Sequence, residues 1–177
     1  MAVQQQSKTR WNGLVYLGIE AAGMPVYTVL TKTQIVEIAA PHSIEWHDCQ
    51  HGCICGVFNY NQEVIPVVDL GYYFKVPTTV SQRNHAVKQL IVLRTTRIHH
   101  SRSQKLGICS SKSVQTMRLT VEQQKALVEH RDNSLKLLTD TKIVRSIFAL
   151  PELYIALFNF DIIAEDATAM MMTPEMV

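Results

Sequence analysis

Five side chains able to bind a soft metal fall within one short run: His47, Cys49, His51, Cys53 and Cys55, spaced H-x-C-x-H-x-C-x-C. Structural zinc takes four nitrogen or sulfur ligands in a tetrahedral array, so Cys49, His51, Cys53 and Cys55 are a candidate set. The spacing is not that of two C-x-x-C pairs, and no second ligand cluster lies far along the chain to be cross-linked to it. We favour the plainer reading, a loop that delivers Cys53 and Cys55 into a core as small apolar residues. Cys55 beside a histidine is also the raw material of a thiol nucleophile, but nothing around it resembles an oxyanion loop or a nucleophile motif. A third group, Arg97, His99, His100, Arg102 and Lys105, has the charge to hold phosphates. No aromatic residues interleave with those charges to stack on bases, and no Gly-rich phosphate loop accompanies them, so we read a solvated hairpin loop. With no convergent acid–base set and no cofactor loop, the expectation is a protein that is not an enzyme and uses no cofactor or metal. A zinc-binding regulatory domain and a small β-barrel that binds nucleic acid remain the alternatives.

The elements that must carry these residues read as strands. The chain has 177 residues, 47% of them hydrophobic and 18% charged, enough for a core in one domain or two small fused subdomains. A net charge of +2 is too mild to imply nucleic acid or a membrane as partner. No apolar run approaches the ~20 residues that span a bilayer. The start, MAVQQQSKTR, lacks the apolar stretch of a secretory signal, so we expect a flexible tail over 1–13 and a cytoplasmic location. The four cysteines fit free thiols better than a disulfide framework.

Leu14 to Glu20 and Met24 to Leu30 are strand candidates about a turn at Ala21-Ala22-Gly23, and Lys32 to Ile38 follows with Ile35, Val36 and Ile38 as anchors. His42 to His51 reads as a loop with a helical turn. The most informative stretch is Cys55 to Phe74. Two apolar runs, Ile54–Phe58 and Val64–Leu70, flank the polar bend Asn59–Gln62, which is hairpin chemistry because Asn tolerates a left-handed backbone. Val64, Pro66, Val68 and Leu70 share one face and Ile65, Val67 and Asp69 the other, so the second strand should be buried on both sides. Pro66 cannot donate a ladder bond and should sit at an edge, a bulge or a barrel corner. Lys75 to Asn84 is the best boundary. Beyond it, Leu90–Leu93 should begin a second sheet, Leu106–Ser110 should return with Gly107 at a bulge or close approach, and Val114–Leu119 should continue it. Thr120–Glu129 has a T-x-x-Q capping box and reads as a helix. Ile143–Phe148 and Leu153–Phe160 complete the strands, and the Met-rich residues 164–177 are a tail or short helix.

The halves echo one another. Ser146-Ile147-Phe148 and Leu153–Phe160 align without a gap on Gly56-Val57-Phe58 and Glu63–Leu70, with Pro151 opposite Asn61 and Asn159 opposite Asp69. More weakly, Leu106–Met117 aligns on Tyr27–Ile38.

Gly56-Val57-Phe58-Asn59 followed by Val64-Ile65-Pro66-Val67-Val68-Asp69-Leu70 resembles the signature hairpin of the CheW-like domain, G-V-x-N-x-R-G and then P-V-x-D-L. Ile35-Val36-Glu37-Ile38 resembles the V-x-E-I element that follows that family's first hairpin. The resemblance runs from Leu14 to Ile163 and implies a mainly β fold: two small five-stranded SH3-like β-barrel subdomains with one or two short helices. The expected division is 14–163 as one domain, its halves 14–80 and 86–163 interleaved. It implies a stand-alone adaptor that joins a methyl-accepting-type receptor to the regulatory domain of a CheA-type histidine kinase, in the cytoplasm at membrane receptor arrays, with no metal. Partner contact would fall on Ile35, Val36, Glu37 and Ile38 and on the bend Asn59, Tyr60, Asn61 and Gln62. Glu37 matches the family's partner-contacting glutamate, Ile35 its hydrophobic neighbour and Asn61 its turn arginine. The Arg-Gly of the family turn is Asn61-Gln62 here, which removes a bidentate donor. The bend looks more like those of divergent adaptors of surface-sensing or twitching pathways.

Overall fold

Runs of apolar and alternating residues build most of the described residues into strands. The computed structural model describes residues 14–21, 24–47, 53–74, 86–99, 102–116, 142–150 and 153–172. In order the strands are β1 (Leu14–Ala21), β2 (Met24–Thr31), β3 (Ile35–Ala39), β4 (Ile44–Trp46), β5 (Ile54–Tyr60), β6 (Glu63–Val68), β7 (Gln89–His99), β8 (Arg102–Ser110), β9 (Gln115–Thr116), β10 (Val144–Leu150) and β11 (Leu153–Phe158), followed by helix α1 (Phe160–Met171). The expected helix at 120–129, the tail at 1–13 and the boundary at 75–84 lie outside the described residues.

The strands form two curled sheets, ordered β10-β11-β2-β1-β9 and β3-β7-β8-β6-β5-β4. Antiparallel hairpins are joined in each by one parallel pair, β11 on β2 and β6 on β8. Without β4 the two sheets have the same plan: β10, β11, β2, β1 and β9 correspond to β5, β6, β8, β7 and β3. This is the mainly β, paired-barrel architecture expected from sequence, with a three-residue sixth strand added to one sheet. The five-stranded sheet joins the first two strands of the chain to the last three, and the six-stranded sheet takes the run between them.

Several local expectations shift. Leu90–Leu93 does not begin a second sheet; β7 pairs with β3 and β8 inside the sheet that holds the signature hairpin. Its side chains alternate between two cores, Ile91 and Leu93 to one and Leu90 and Val92 to the other, as a strand covered on both faces requires. The basic segment is not a loop, because β7 runs through His99 and β8 starts at Arg102, with His99 opposite Arg102. His100 lies outside the described residues. Of the segment 114–119, residues 117–119 lie outside the described residues, and Gln115–Thr116 does not continue β8 but crosses as β9 to pair with β1 of the other sheet. Ile44–Trp46 is a strand on β5, preceded by a short 3-10 turn at Pro41–Ser43. Pro66 sits on an interior strand, opposite Val57, one residue before the parallel ladder to β8 begins at Val67. Gly107 marks a close approach: a Cβ there would lie 3.0 Å from Val67 Cγ2 and 3.1 Å from Leu90 Cδ1.

The last strand ends at Phe158, and α1 begins where strand was expected, so the boundary placed at 164 falls inside a helix. Its buried residues Phe160, Ile163, Ala164 and Ala167 keep to the three- and four-residue spacing of one helical face. Asp161 lies in the first turn, where a carboxylate suits the helix dipole. Asp161 accepts hydrogen bonds from the Thr96 amide (2.8 Å) and hydroxyl, and Gln104 donates to the Ala164 carbonyl (3.0 Å) and to Thr168. These bonds tie the helix that follows one sheet onto β7 and β8 of the other.

The main core lies among the two sheets and α1 and includes Leu30, Ile54, Val68, Ile91, Leu106, Ile147 and Ile163. Phe74, after β6, meets Phe158, at the end of β11, edge to face at 5.8 Å. A smaller core of Ile44, Cys55, Phe58, Ile65, Val67, Leu90 and Val92 fills the concave side of the six-stranded sheet. Residues of both edge strands pack on it, Val36 and Ala39 from β3 and Trp46 from β4, so that sheet is curled toward barrel form.

Candidate partner-binding surface

Two groups of candidate contact residues sit on the six-stranded sheet. The first is β3, which among the described residues is an edge strand paired only with β7. A register shift between Ile35 and Glu37 breaks simple alternation. Ile35 packs against the main core and Val36 against the smaller one, while Glu37 and Ile38 are both exposed, Ile38 by 45%. The edge therefore presents a carboxylate beside an apolar side chain, together with a backbone row that has no strand beside it among the described residues.

The second is the tip of the β5–β6 hairpin. Tyr60 pairs with Glu63, leaving Asn61 and Gln62 as a two-residue loop with φ of 49° and 67°. Positive φ at both central positions is the type I′ arrangement, whose twist matches that of the flanking strands. Asn61 suits this backbone; Gln62, longer and without that preference, adopts it as well. Asn59, Asn61 and Gln62 are exposed and Tyr60 is half-buried. Val64, opposite Asn59, is 54% exposed, so β6 is not buried on both sides over its whole length as expected. The hairpin outruns the cover that buries Pro66 to Val68, and the tip thereby gains an apolar residue that its alternation had placed in the core.

β7 and β8 lie between β3 and this hairpin, so the two groups are separate surfaces of one sheet. Lys105 of β8, expected in a solvated hairpin loop, is instead committed to the residues that flank the β5–β6 turn. It forms an ion pair with Glu63 and lies over the Tyr60 ring, 5.8 Å from its centroid. The partners are far apart in sequence, and no local pattern links them.

The thiol-rich run does not converge where it is described. Cys53 enters the main core and Cys55 the smaller one, on opposite sides of the sheet. His47 is exposed; Cys49 and His51 lie outside the described residues. Burial holds the Cys53 thiol above its ordinary pKa, against the thiolate a metal needs. Among the described residues no three His, Cys, Asp or Glu side chains cluster to hold a metal. No helix among them is long and apolar enough to cross a membrane.

A family model described as the CheW-like domain matches residues 16–141, which takes in both candidate surfaces. No curated protein sequence matches significantly. Among solved structures, the scaffolding protein TtCheW from Thermoanaerobacter tengcongensis superposes with a TM-score of 0.54 at 13% identity, over 83% of this chain and 89% of that one. At that identity the likeness speaks for the fold, and the family match for the lineage: the chain belongs to the CheW-like domain family.

Proposed function

We propose that this protein is a non-enzymatic adaptor that couples the cytoplasmic tip of a methyl-accepting-type receptor to the regulatory domain of a CheA-type histidine kinase in a chemosensory array. The observation that carries the reading is the edge strand β3, which among the described residues pairs with β7 alone and on which Glu37 and Ile38 stand exposed, within the family-matched range. An edge strand can pair with a partner's backbone, Ile38 can enter an apolar groove, and Glu37 can select a basic one. TtCheW, whose fold this chain shares, is a scaffolding protein, in keeping with this assignment. The hairpin tip supplies the second contact through Asn59, Tyr60, Asn61 and Gln62. With no arginine at the turn, that contact rests on neutral hydrogen bonds and fits an adaptor of a surface-sensing or twitching pathway.

Titration of the purified chain with a receptor-tip fragment and, separately, with the kinase regulatory domain tests the reading; absence of binding to both overturns it. Glu37→Lys should weaken one of these complexes about tenfold or more through charge reversal at the rim, with the Tm unchanged because the side chain is exposed. Equal affinities for Glu37→Lys and the parent would remove Glu37 from the contact.

A further inference from the structure

In the smaller core the Sγ atoms of Cys55 and Cys109 lie 3.7 Å apart. Their strands are not neighbours: β6 runs between β5 and β8. Side chains separated by an intervening strand ordinarily stand roughly 10 Å apart. Two features close that gap. The register shift between Ile54 and Gly56 turns Cys55 into the concave side, onto the core that also receives Phe58. The curl of the sheet then brings β8 over it, with Gly107 allowing the close approach beside Val67. The Cys55 thiol donates to the Val67 carbonyl at 3.4 Å, which fixes its sulfur against β6. Cys55 is 1% exposed, whereas Cys109 is half-buried on the rim of the same core and open to small reagents.

We propose that Cys55 and Cys109 form a reversible disulfide, making this core a redox-responsive cross-link between β5 and β8. The oxidant class is a peroxide. The Cys109 thiolate attacks a peroxide oxygen; an S–O bond forms, the O–O bond breaks, and the leaving hydroxide takes up the thiol proton as water. Cys55 sulfur then attacks the Cys109 sulfenic acid; the S–S bond forms, the S–O bond breaks, and the hydroxyl leaves as a second water with the Cys55 proton. Two thiols thus lose two electrons and two protons, and hydrogen peroxide becomes two waters. Closing 3.7 Å to a disulfide length of about 2.05 Å requires the sulfurs to approach by less than about 2 Å, within reach of side-chain rotation and small strand shifts. Cys53 cannot substitute, because it lies in the other core.

The test exposes the full chain to hydrogen peroxide, alkylates the remaining thiols in denaturant, and maps the digested peptides without reduction. The expected product is a peptide pair joined through Cys55 and Cys109, resolved into separate peptides by dithiothreitol and retained in Cys53→Ser. It should be more abundant when the folded chain is oxidised than when the denatured chain is. Cys109→Ser should abolish it and leave Cys55 alkylatable. Cys55 alkylated in full after peroxide treatment, Cys109 carried on to sulfinic acid without pairing, or either cysteine paired only with Cys49 or Cys53 would each overturn the proposal. The parent chain's peptide map decides the matter even if a serine variant fails to fold.

Discussion

The β5–β6 and β10–β11 hairpins are copies that end differently. Gly56↔Val67, Val57↔Pro66 and Phe58↔Ile65 in one match Ser146↔Leu157, Ile147↔Ala156 and Phe148↔Ile155 in the other, and both carry a register shift at the same place. Even the exit is repeated: the Asp69 amide donates to the Cys53 carbonyl at 3.0 Å, and the Asn159 amide to the Ile143 carbonyl at 2.7 Å. After that the chain diverges. Asp69 accepts from the Gly71 amide at 2.8 Å and leads into a short 3-10 turn, Leu70–Phe74, whereas Asn159 leads into the twelve residues of α1. The shifted residue is the buried Cys55 in one copy and the exposed Arg145 in the other. The difference follows from cover. β5 carries β4 on its outer side, while among the described residues β10 is an edge strand. A hairpin's register is thus a local property, and the use of its faces is set by what packs on it afterwards.

Substitutions can break this pairing of alike and unlike. The largest effect should come from the helix peculiar to one copy: Ile163→Ala removes a fully buried side chain where both sheets and α1 meet and should cost about 3–4 kcal/mol in urea denaturation. Gly56→Ala should cost about 2–3 kcal/mol, since its Cβ would stand 2.5 Å from the Glu45 carbonyl oxygen of β4. The matching position of the other hairpin is Ser146, a residue type that already carries a Cβ. A Gly56→Ala chain of parental stability would mean that β4 is not held on β5 in solution. At the turn, Gln62→Gly should stabilise by about 1 kcal/mol by relieving a left-handed backbone that glutamine adopts at a cost, which thermal melting would register.

The subtlest effect separates the two cores by pH. Cys53 has its pKa raised above 9.0 by burial, so the folded chain holds that proton more tightly than the unfolded chain does. Its contribution is complete below pH 9 and is lost as pH rises through the folded-state pKa. The alkaline fall in stability should therefore be shallower in Cys53→Ala. Parallel curves for parent and variant would show that this thiol does not titrate on unfolding.

Legibility in the sequence followed distance along the chain. The signature hairpin and its repeat were readable because pairing across a two-residue turn depends on alternation and on residues such as Asn61 that accept positive φ. The paired-barrel plan followed from the repeat and the family resemblance. The helix spacing at Phe160, Ile163, Ala164 and Ala167 is present, but the apolar run Leu153–Phe158 is followed after the single Asn159 by the apolar Phe160, and short apolar runs fit either element. What could not be read depends on strands that meet only in the fold: β9 crossing to β1, the shift in β3 that exposes Glu37 and Ile38 together, Lys105 on Glu63 and Tyr60, and the two sulfurs of the smaller core. For the proposed contact surface, the residue set follows from the resemblance, while its division between an edge and a hairpin tip, and the exposure of Val64 beside that tip, depend on the fold.

The parallel pairs β11–β2 and β6–β8 also set a timetable. On a ribosome, β1 and β2 emerge early, yet the three strands that complete their sheet are made after all those of the other sheet. The first hairpin must therefore wait, partly uncovered, until β9, β10 and β11 have been made, and such distant closure favours slow folding. A cut between β6 and β7 would therefore divide both sheets between the two fragments and leave neither sheet whole.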